Sequence, residues 1–534
     1  MNRILYAADC LDVLNDADEL PSESVDLIYL DPPFNSNSSY NLPFKGRDKS
    51  LKPVEAFKDT WAWTAEDKSR LEEMGRDPRT RSLATIVKFA AEVEGKPSGR
   101  GKNKTSLASY LLHMALRLRA MRRALKKTGS IYLHCDPTAG HYLKLVMDAI
   151  YGQKNYRNTI IWKRTSSHND AKRFGNVHDE LMYYTKENSP TWNTLYLEYD
   201  EDYVQKAFRY QDDDGRKWAS SDLTATSKQG GGYEYEWNGV TRLWLCPVGT
   251  MERLESENRL HYTKSGLARR KRYLDEASGV MLNDVWTDIN PIGSHAKERL
   301  GYPTQKPLAL LERIISASSN PGDLVLDPFC GCGTTVHAAE ALRRRWIGID
   351  ISPFSTGLIR ERIAHNFPLL SKRDISIRGI PETIQQARDL ARRDKFEFEK
   401  WVCGFIGAEG MFRQPGERGA DGGVDGLLKF YRFVPKKVAK AEYAVVQVKG
   451  GKVSPDAVRA LRETVDRLSV TAGVLVCFRQ YMSTVDNQRS HDSFDDVFGS
   501  YPVIQGYSIE DLLANKPLDL PTYGRQRQGA LLDL

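Results

Sequence analysis

The sequence predicts an α/β protein built on a mostly parallel sheet, with an inserted segment and a smaller α/β unit at its end. Three observations predict it. Short apolar runs that close on aspartate alternate with helical stretches, the pattern of a parallel sheet. One of these runs enters a glycine turn that opens a helix. The chain has 534 residues, more than one ordinary core holds, so two or three domains are expected.

Val25 to Leu30 (VDLIYL) is a mostly apolar run that suits a buried parallel strand, and Asp31-Pro32-Pro33 stops it. Thr105 to Lys127 reads as a helix, with Leu107, Leu111, Met114, Leu118, Met121 and Leu125 at steps of three and four. Thr105 or Ser106 is its expected cap and Gly129 its expected end. Arg117, Arg119, Arg122, Arg123 and Lys126 occupy the other face. Ser130 to Cys135 reads as a strand, His141 to Ile150 as a helix and Thr159 to Trp162 as a strand. Periodicity then fades through residues 163–290, which are expected to form an inserted domain. Pattern returns with a helix at Pro307 to Ala317, a strand at Asp323 to Asp327, a helix at Thr334 to Leu342 and a strand at Trp346 to Asp350. The expected division is 1–162 and 291–370 for the core fold, 163–290 for the insert, 371–395 for a polar linker and 396–534 for the C-terminal unit.

The net charge of +7 permits a polyanionic partner without requiring one. The excess is local: Trp61 to Ser130 holds sixteen Lys and Arg against seven Asp and Glu. A solvated helix face and a nucleic-acid contact are both open readings of it. Seven cysteines, odd in number and scattered, argue against a disulfide framework. Met1 to Leu14 carries acidic residues where a secretory leader needs an apolar run, and no run approaches membrane-spanning length. A cytoplasmic location with free thiols and no membrane partner is expected.

Two constellations carry chemistry. In DLVLDPFCGCGTT (323–335) a strand ends at Asp327, Gly331 and Gly333 form a turn, and a helix follows. Glycines let backbone approach a ligand, and a helix start offers free N–H groups. Asp350, closing the next strand, is placed to accept from ribose hydroxyls. This arrangement serves dinucleotides as well as other nucleosides. In the second constellation, Asp31-Pro32-Pro33-Phe34 leaves the carboxyl end of a strand, where open α/β sheets bind ligands. A carboxylate and a carbonyl there accept the two hydrogens of a planar amine, and Phe34 offers a face for stacking a base. Read alone, the prolines also suit a plain strand-ending turn.

DPPF (31–34) followed much later by DPFCGCGTT (327–335) resembles the beta class of DNA amino-methyltransferases, in which the catalytic motif precedes the cofactor motif. YPTQKP (302–307) and ADCLDVL (8–14) are similar to further motifs of that class. The resemblance covers Met1 to about Phe367 and implies a methyltransferase fold that uses S-adenosyl-L-methionine, with 163–290 as target-recognition domain and double-stranded DNA as partner. A homodimer is left open. It implies that Asp31, Pro32, Pro33 and Phe34 hold and stack the target base. Asp327, Phe329, Gly331 and Gly333 would bind the cofactor, Asp350 its ribose, Thr304 and Lys306 its remaining edge, and Asp9 its adenine. DPPF rather than a serine-led motif leans toward adenine N6, with cytosine N4 as the alternative. The base is expected to leave the duplex to reach the cofactor.

In the C-terminal unit, Glu399 opens a helix, Asp425 ends a glycine-rich turn, and Gln447 and Lys449 share one face of a strand. An acid, an amide oxygen and a lysine suit Mg²⁺ and a water poised on a phosphodiester. The spacing resembles the Mrr-like branch of restriction nucleases, which implies Glu399, Asp425 and Gln447 around the metal, Asp425 and Gln447 as direct ligands, Lys449 on the water or phosphate, and Asp421 as a weaker candidate. A restriction-modification role follows from the two resemblances. The rival from another class is a DNA-binding protein whose nuclease-like domain is inactive.

Overall fold

The computed structural model describes residues 3–33, 39–41, 55–58, 61, 63–94, 106–165, 172, 174–226, 232–293, 296, 298–300, 302, 304–370, 374–410, 424–432, 440–488, 492–497, 499–514 and 516–521. Nine strands form the main sheet: β1 (Arg3–Ala7), β2 (Val25–Leu30), β3 (Leu125–Cys135), β4 (Tyr156–Lys163), β5 (His178–Thr185), β6 (Val285–Trp286), β7 (Leu324–Asp327), β8 (Arg345–Asp350) and β9 (Ser376–Arg378). Their spatial order is β6-β4-β5-β3-β2-β7-β8-β1-β9. β5 alone runs against its neighbours, and every other pairing in the sheet is parallel. This is the mostly parallel α/β sheet expected of a methyltransferase fold.

The central strands are apolar because both faces are covered. All six residues of β2 are buried, as are all four of β7, the condition under which a parallel strand reads as a continuous hydrophobic run. The first helix is α1 (Cys10–Asn15). Before β3 come α2 (Ala65–Arg76), α3 (Arg81–Glu94) and α4 (Leu107–Ala124). α5 (Pro137–Tyr151) follows β3, α6 (Leu308–Ser318) precedes β7, and α7 (Thr334–Ala341) joins β7 to β8. Ser106 caps α4 through Ser109 N–H at 3.3 Å.

Gly129 does not close α4. The helix ends at Ala124 and the chain enters β3 directly, so Gly129 is a strand residue. A Cβ there would lie 2.6 Å from the Leu125 side chain, which the irregular start of β3 folds back against it. The basic face of α4 is also partly internal. Arg117 pairs with Asp9 at 2.7 Å, Arg123 donates to the carbonyls of Leu14 and Leu20 at 2.7 Å, and Lys126 pairs with Asp26 at 2.7 Å. Only Arg119 and Arg122 of that row are exposed.

The insert was expected to start at Lys163, but 178–185 is a strand of the main sheet. Asp179 and Glu180 interrupt the apolar run that would have announced it, whereas Tyr183 stacks on Tyr132 of β3 at 4.5 Å. The separate compact unit is Thr194–Asn283. It holds a four-stranded antiparallel sheet (Tyr210–Gln211, Lys217–Ser221, Leu260–Tyr262, Ala268–Tyr273) and a hairpin (Tyr233–Trp237, Val240–Trp244). Its core gathers Leu223, Trp244, Met251, Leu254, Leu260 and Ala268.

After β8 come α8 (Pro353–Asn366), α9 (Ile384–Arg393) and α10 (Lys395–Ile406). The stretch read as a linker therefore contributes edge strand β9, which pairs with β1, and helix α9. The C-terminal sheet runs in the order β10 (Glu409–Gly410), β11 (Gly426–Arg432), β12 (Lys440–Lys449), β13 (Ala472–Cys477), β14 (Ile504–Ser508). β10, β11 and β12 pair antiparallel, and β12, β13 and β14 pair parallel. Phe398, Trp401, Val446 and Val448 pack in one cluster, and Leu427, Val445, Leu461 and Leu475 in another, so β12 is covered on both faces. α8 and α10 meet so closely that a Cβ on Gly357 would lie 2.4 Å from the Gly404 carbonyl. Among the described residues no helix is long and apolar enough to cross a membrane.

Candidate functional site

Four parallel neighbours, β2, β7, β8 and β1, deliver acids to the same carboxyl edge of the sheet. β8 ends on Asp350 and β7 on Asp327, while Asp31 follows β2 directly and Asp9 follows β1 by one residue. The register pairs Ala7 with Asp350, Asp327 with Gly348, and Leu326 with Ile28. Continued by three residues, it sets Asp31 level with the turn after Asp327.

The glycine turn is shaped by backbone demands. Gly333 caps α7 at φ +76°, where side-chain residues are disfavoured, and its Cβ would meet Ile359 at 2.6 Å. Gly331 sits at φ +50° under the ring of Tyr302. Asp350 fastens the turn: one oxygen accepts from Gly331 N–H at 2.9 Å and the other from Ser352 N–H at 2.9 Å. Asp327 accepts from Phe329 N–H at 3.0 Å.

Burial dominates the electrostatics here. It raises the Asp350 carboxyl to about 6, against the opposing hydrogen bonds from Ser352, Gly331 and Ser355. It raises Asp327 to about 7, with the charges of Asp31 and Asp350 pushing the same way and bonds from Thr335 and Phe329 resisting. The ordinary value is 3.8, so the folded state holds the Asp327 proton more tightly than the unfolded chain does. The resulting stability is fully present below that ordinary value and is lost as pH rises through about 7. Asp327→Asn, which keeps an acceptor for Phe329, is therefore expected to melt higher than wild type at pH 8, by about 2–4 °C for each kcal/mol relieved. The gap should close toward pH 4. Melting curves at the two pH values check it, and a gap that does not change with pH would count against the buried-carboxylate account.

Lys306 forms an ion pair with Oδ2 of Asp31, and both side chains are largely buried. The YPTQKP stretch is thus drawn onto the DPP turn. The resemblance implies Lys306 at the cofactor's edge; in the structure its ammonium bonds the acid of the other motif. Tyr302 and Gln305 hold the stretch in place. Tyr302 packs on Gly331 and reaches toward Ser355 at 3.5 Å. Gln305 bonds Leu300 N–H at 2.9 Å and the Glu298 carbonyl at 2.6 Å. Thr304 is exposed and sits at φ +62°, a strained conformation for a β-branched residue. Phe34 lies outside the described residues.

A family model described as DNA methylase matches residues 25–360, well over half of the chain. The chain belongs to the DNA methylase family. Among its relatives, the Type II methyltransferase M.EcaI of Enterobacter cloacae is 34% identical over 262 residues, 48% of this chain and 58% of that protein. The StyLTI Mod subunit of a Type III restriction-modification enzyme from Salmonella typhimurium is 29% identical over 363 residues, 64% of this chain and 50% of that protein. The DNA adenine methyltransferase YhdJ of Escherichia coli K12 is 54% identical over 86 residues, 16% of this chain and 29% of that protein. The chain spans 58% and 50% of the length of the first two.

Within the methylase region, Asp9 is already occupied in this structure. It caps α1 through Leu11 N–H at 2.8 Å and takes the Arg117 guanidinium on both oxygens. It lies at the same sheet edge, but as a staple between α1 and α4. Tyr302 and Ser355 have no individual role in the sequence, and Arg117 stands there only in a basic helix face. A tyrosine opening the lysine motif and an arginine amid the apolar steps of α4 were the available signals.

The C-terminal residues also gather. Asp425 N–H donates to the Val446 carbonyl at 2.9 Å, and its carboxylate accepts from Val448 N–H at 2.6 Å, which seats it beside Gln447 on the next strand. Gln447 is buried and its Oε1 has no hydrogen-bond partner. Glu399 is buried on α10, with Lys395 at 3.4 Å. Cys403, one turn further along α10, donates to the Asp425 carbonyl at 3.5 Å. Its thiol is pushed up by burial and by the charges of Asp425 and Glu399, so both acids lie near it. Lys449 follows two residues after Gln447 at the half-buried end of β12. Asp421 lies outside the described residues. A family model described as restriction endonuclease matches residues 390–490.

A magnesium ion fits the donor set. A buried amide oxygen without a partner beside a carboxylate is the hard-oxygen environment such an ion takes, although among the described residues no three His, Cys, Asp or Glu side chains cluster closely enough to hold a metal by themselves.

Proposed function

We propose that this protein methylates the exocyclic N6 amine of adenine in DNA, using S-adenosyl-L-methionine. The observation that carries the reading is the meeting of Asp31, Lys306, Asp327 and Asp350 at one sheet edge. The cofactor fits the turn: Gly331 and Gly333 give it the positive-φ backbone that side-chain residues disfavour, and Asp350 is a half-buried acceptor beside it. When bound, it supplies an electrophilic methyl carbon on a sulfonium.

The chain's own residues supply position and charge. Asp31 has one oxygen on Lys306; the other accepts one hydrogen of the target amine, and the Pro32 carbonyl accepts the second. Both bonds strengthen as positive charge grows on the nitrogen, so they favour the transition state over the ground state. Lys306, bonded to Oδ2, keeps Asp31 aimed. Phe34 stacks on the base that has left the helix. The adenine reading rests on DPPF and on the short but high identity to a protein named as an adenine methyltransferase. Asp327, Phe329 and Thr304 complete the cofactor's surroundings, and the protein works on double-stranded DNA in the cytoplasm.

The insert supplies recognition. Along Ala268–Tyr273, Lys271 is buried on Asp212 at 2.9 Å and Arg269 donates to Ser220 at 2.6 Å. Arg270 and Arg272 share the exposed face. Replacing both by alanine is expected to weaken DNA binding about tenfold and to flatten its salt dependence by up to two phosphate contacts. Lys271→Ala instead lowers the melting temperature. Fluorescence anisotropy across a salt series, paired with melting curves, checks both. An unchanged salt slope for the double variant would move recognition elsewhere.

We further propose that the C-terminal unit cleaves DNA in a restriction-modification role. Asp425 and Gln447 would hold Mg²⁺ with Glu399 in support, and Lys449 would orient the attacking water or the phosphate.

A further inference from the structure

A buried polar chain lies behind Asp31. Tyr29, two residues earlier on the same face of β2, has its hydroxyl 2.8 Å from Nδ1 of His134. His134 is fully buried on β3, and its Nε2 lies 3.2 Å from Asp179 on β5. The other Asp179 oxygen lies 3.1 Å from Arg164 Nε, whose side chain is about half exposed at 45%. Those three strands are neighbours in the sheet. The rings of Tyr29 and Trp162 meet the imidazole edge-on from two sides, at 6.1 and 5.9 Å.

The bonding fixes the protons. An ionised carboxylate only accepts, so His134 Nε2–H donates to Asp179. The neutral ring then presents a lone pair at Nδ1, which takes the Tyr29 O–H. Burial holds the imidazole below its ordinary range, helped by the charge of Lys306 and opposed by Asp31 and Asp179. Burial acts to raise the Asp179 carboxyl, but the bond from His134 and the charges of Lys306 and Arg164 outweigh it. Both partners feel the charge of Lys306, and His134 feels that of Asp31 as well.

Such a network is a weak source of stability: apolar residues of the same shape are often as stable, whereas deleting one partner strands a buried polar group. One end lies at the strand that delivers Asp31, the other at Arg164, just past the end of β4. We propose that Tyr29, His134 and Asp179 are positioning residues that hold the Asp31–Pro33 turn in the geometry that grips the target amine. The proposal rests on the methyl-transfer reading. None of the three touches the base; they act through Asp31.

The test compares Tyr29→Phe, His134→Phe and His134→Gln with wild type, scoring kcat and KM for tritiated methyl transfer to duplex DNA, cofactor affinity by calorimetry, and the melting temperature. Glutamine keeps one donor and one acceptor, phenylalanine neither. The expected result is a loss of kcat of about 10- to 100-fold in both phenylalanine variants, the size that follows from a small misplacement of a reacting group. Cofactor affinity should stay within about twofold, and glutamine should recover most of the rate. Wild-type kcat in Tyr29→Phe and His134→Phe would overturn the proposal. So would a loss that merely tracks melting temperature and cofactor affinity, or a glutamine variant no better than phenylalanine. A wild-type protein inert on DNA would instead bring down the methyl-transfer reading, and this proposal with it.

Discussion

Asp31→Ala is expected to lose methyl transfer by about 10²- to 10³-fold while cofactor affinity changes less than about threefold. The magnitude is that of removing a donor or acceptor aimed at charge that appears only in the transition state. The separation follows from the proposed site: Asp31 belongs to the DPP turn, and the proposed cofactor surroundings lie on β7, β8 and the glycine turn. Loss of Asp31 also leaves the largely buried Lys306 without the carboxylate it bonds here. A parallel Lys306→Met variant should therefore lose less than Asp31→Ala, because the acid survives and only its aim is disturbed. Single-turnover methyl incorporation with calorimetry on the same samples checks the pair. Transfer near the wild-type level in Asp31→Ala would remove Asp31 from the chemistry.

The second large effect is expected in the C-terminal unit. Lys449→Ala and Asp425→Ala should each reduce Mg²⁺-dependent cleavage of plasmid DNA by at least about 100-fold, with methyl transfer within twofold of wild type. Asp425→Ala also removes the acceptor for Val448 N–H, so its melting temperature should fall more than that of Lys449→Ala, whose side chain sits at the half-buried end of its strand. Gln447→Glu adds a charge where an amide now lies buried, and it should tighten the response to magnesium if the oxygen at that position is a ligand. Plasmid nicking titrated with MgCl₂ reads all three. Cleavage that survives both Lys449→Ala and Asp425→Ala would leave the unit as a DNA-binding module.

The parts of the fold that sequence made legible are those buried on both faces. VDLIYL forms the strand Val25–Leu30 residue for residue, and the strands ending at Asp327 and Asp350 begin within one residue of their expected positions. Continuous apolar runs have one low-energy use, between two layers of helices. β5 was illegible because Asp179 and Glu180 break its run, and Asp179 is there for a hydrogen bond with a residue 45 positions away. His134 was hidden for the same reason: a lone histidine in SIYLHC reads as a core filler until its partners on two other strands are known. The charge of α4 and the start of β3 left a solvated face and a nucleic-acid contact both open; Arg117, Arg123 and Lys126 serve neither, each being bonded to the domain's own acids or carbonyls.

The site was legible in its motifs but not in its pairings. Spacing and turn chemistry marked Asp31, Gly331, Gly333 and Asp350, since glycines at positive φ and acids at strand ends leave local signals. That Lys306 would sit on Asp31, or that Asp9 would be held by Arg117, depends on contacts across 275 and 108 residues of sequence. No local pattern encodes such contacts. The basic run Arg269–Arg272 shows the same limit, because only the antiparallel register of its strand decides that Lys271 points inward and Arg270 and Arg272 outward.

Mass spectrometry of the nucleosides from unmodified duplex DNA, after incubation with the purified protein and S-adenosyl-L-methionine, tests the central claim most directly. The predicted product is N6-methyladenine, formed by wild type and absent with Asp31→Ala. N4-methylcytosine in its place would contradict the choice of base, and DNA with no methylated nucleoside would contradict the claim that this sheet edge transfers a methyl group at all.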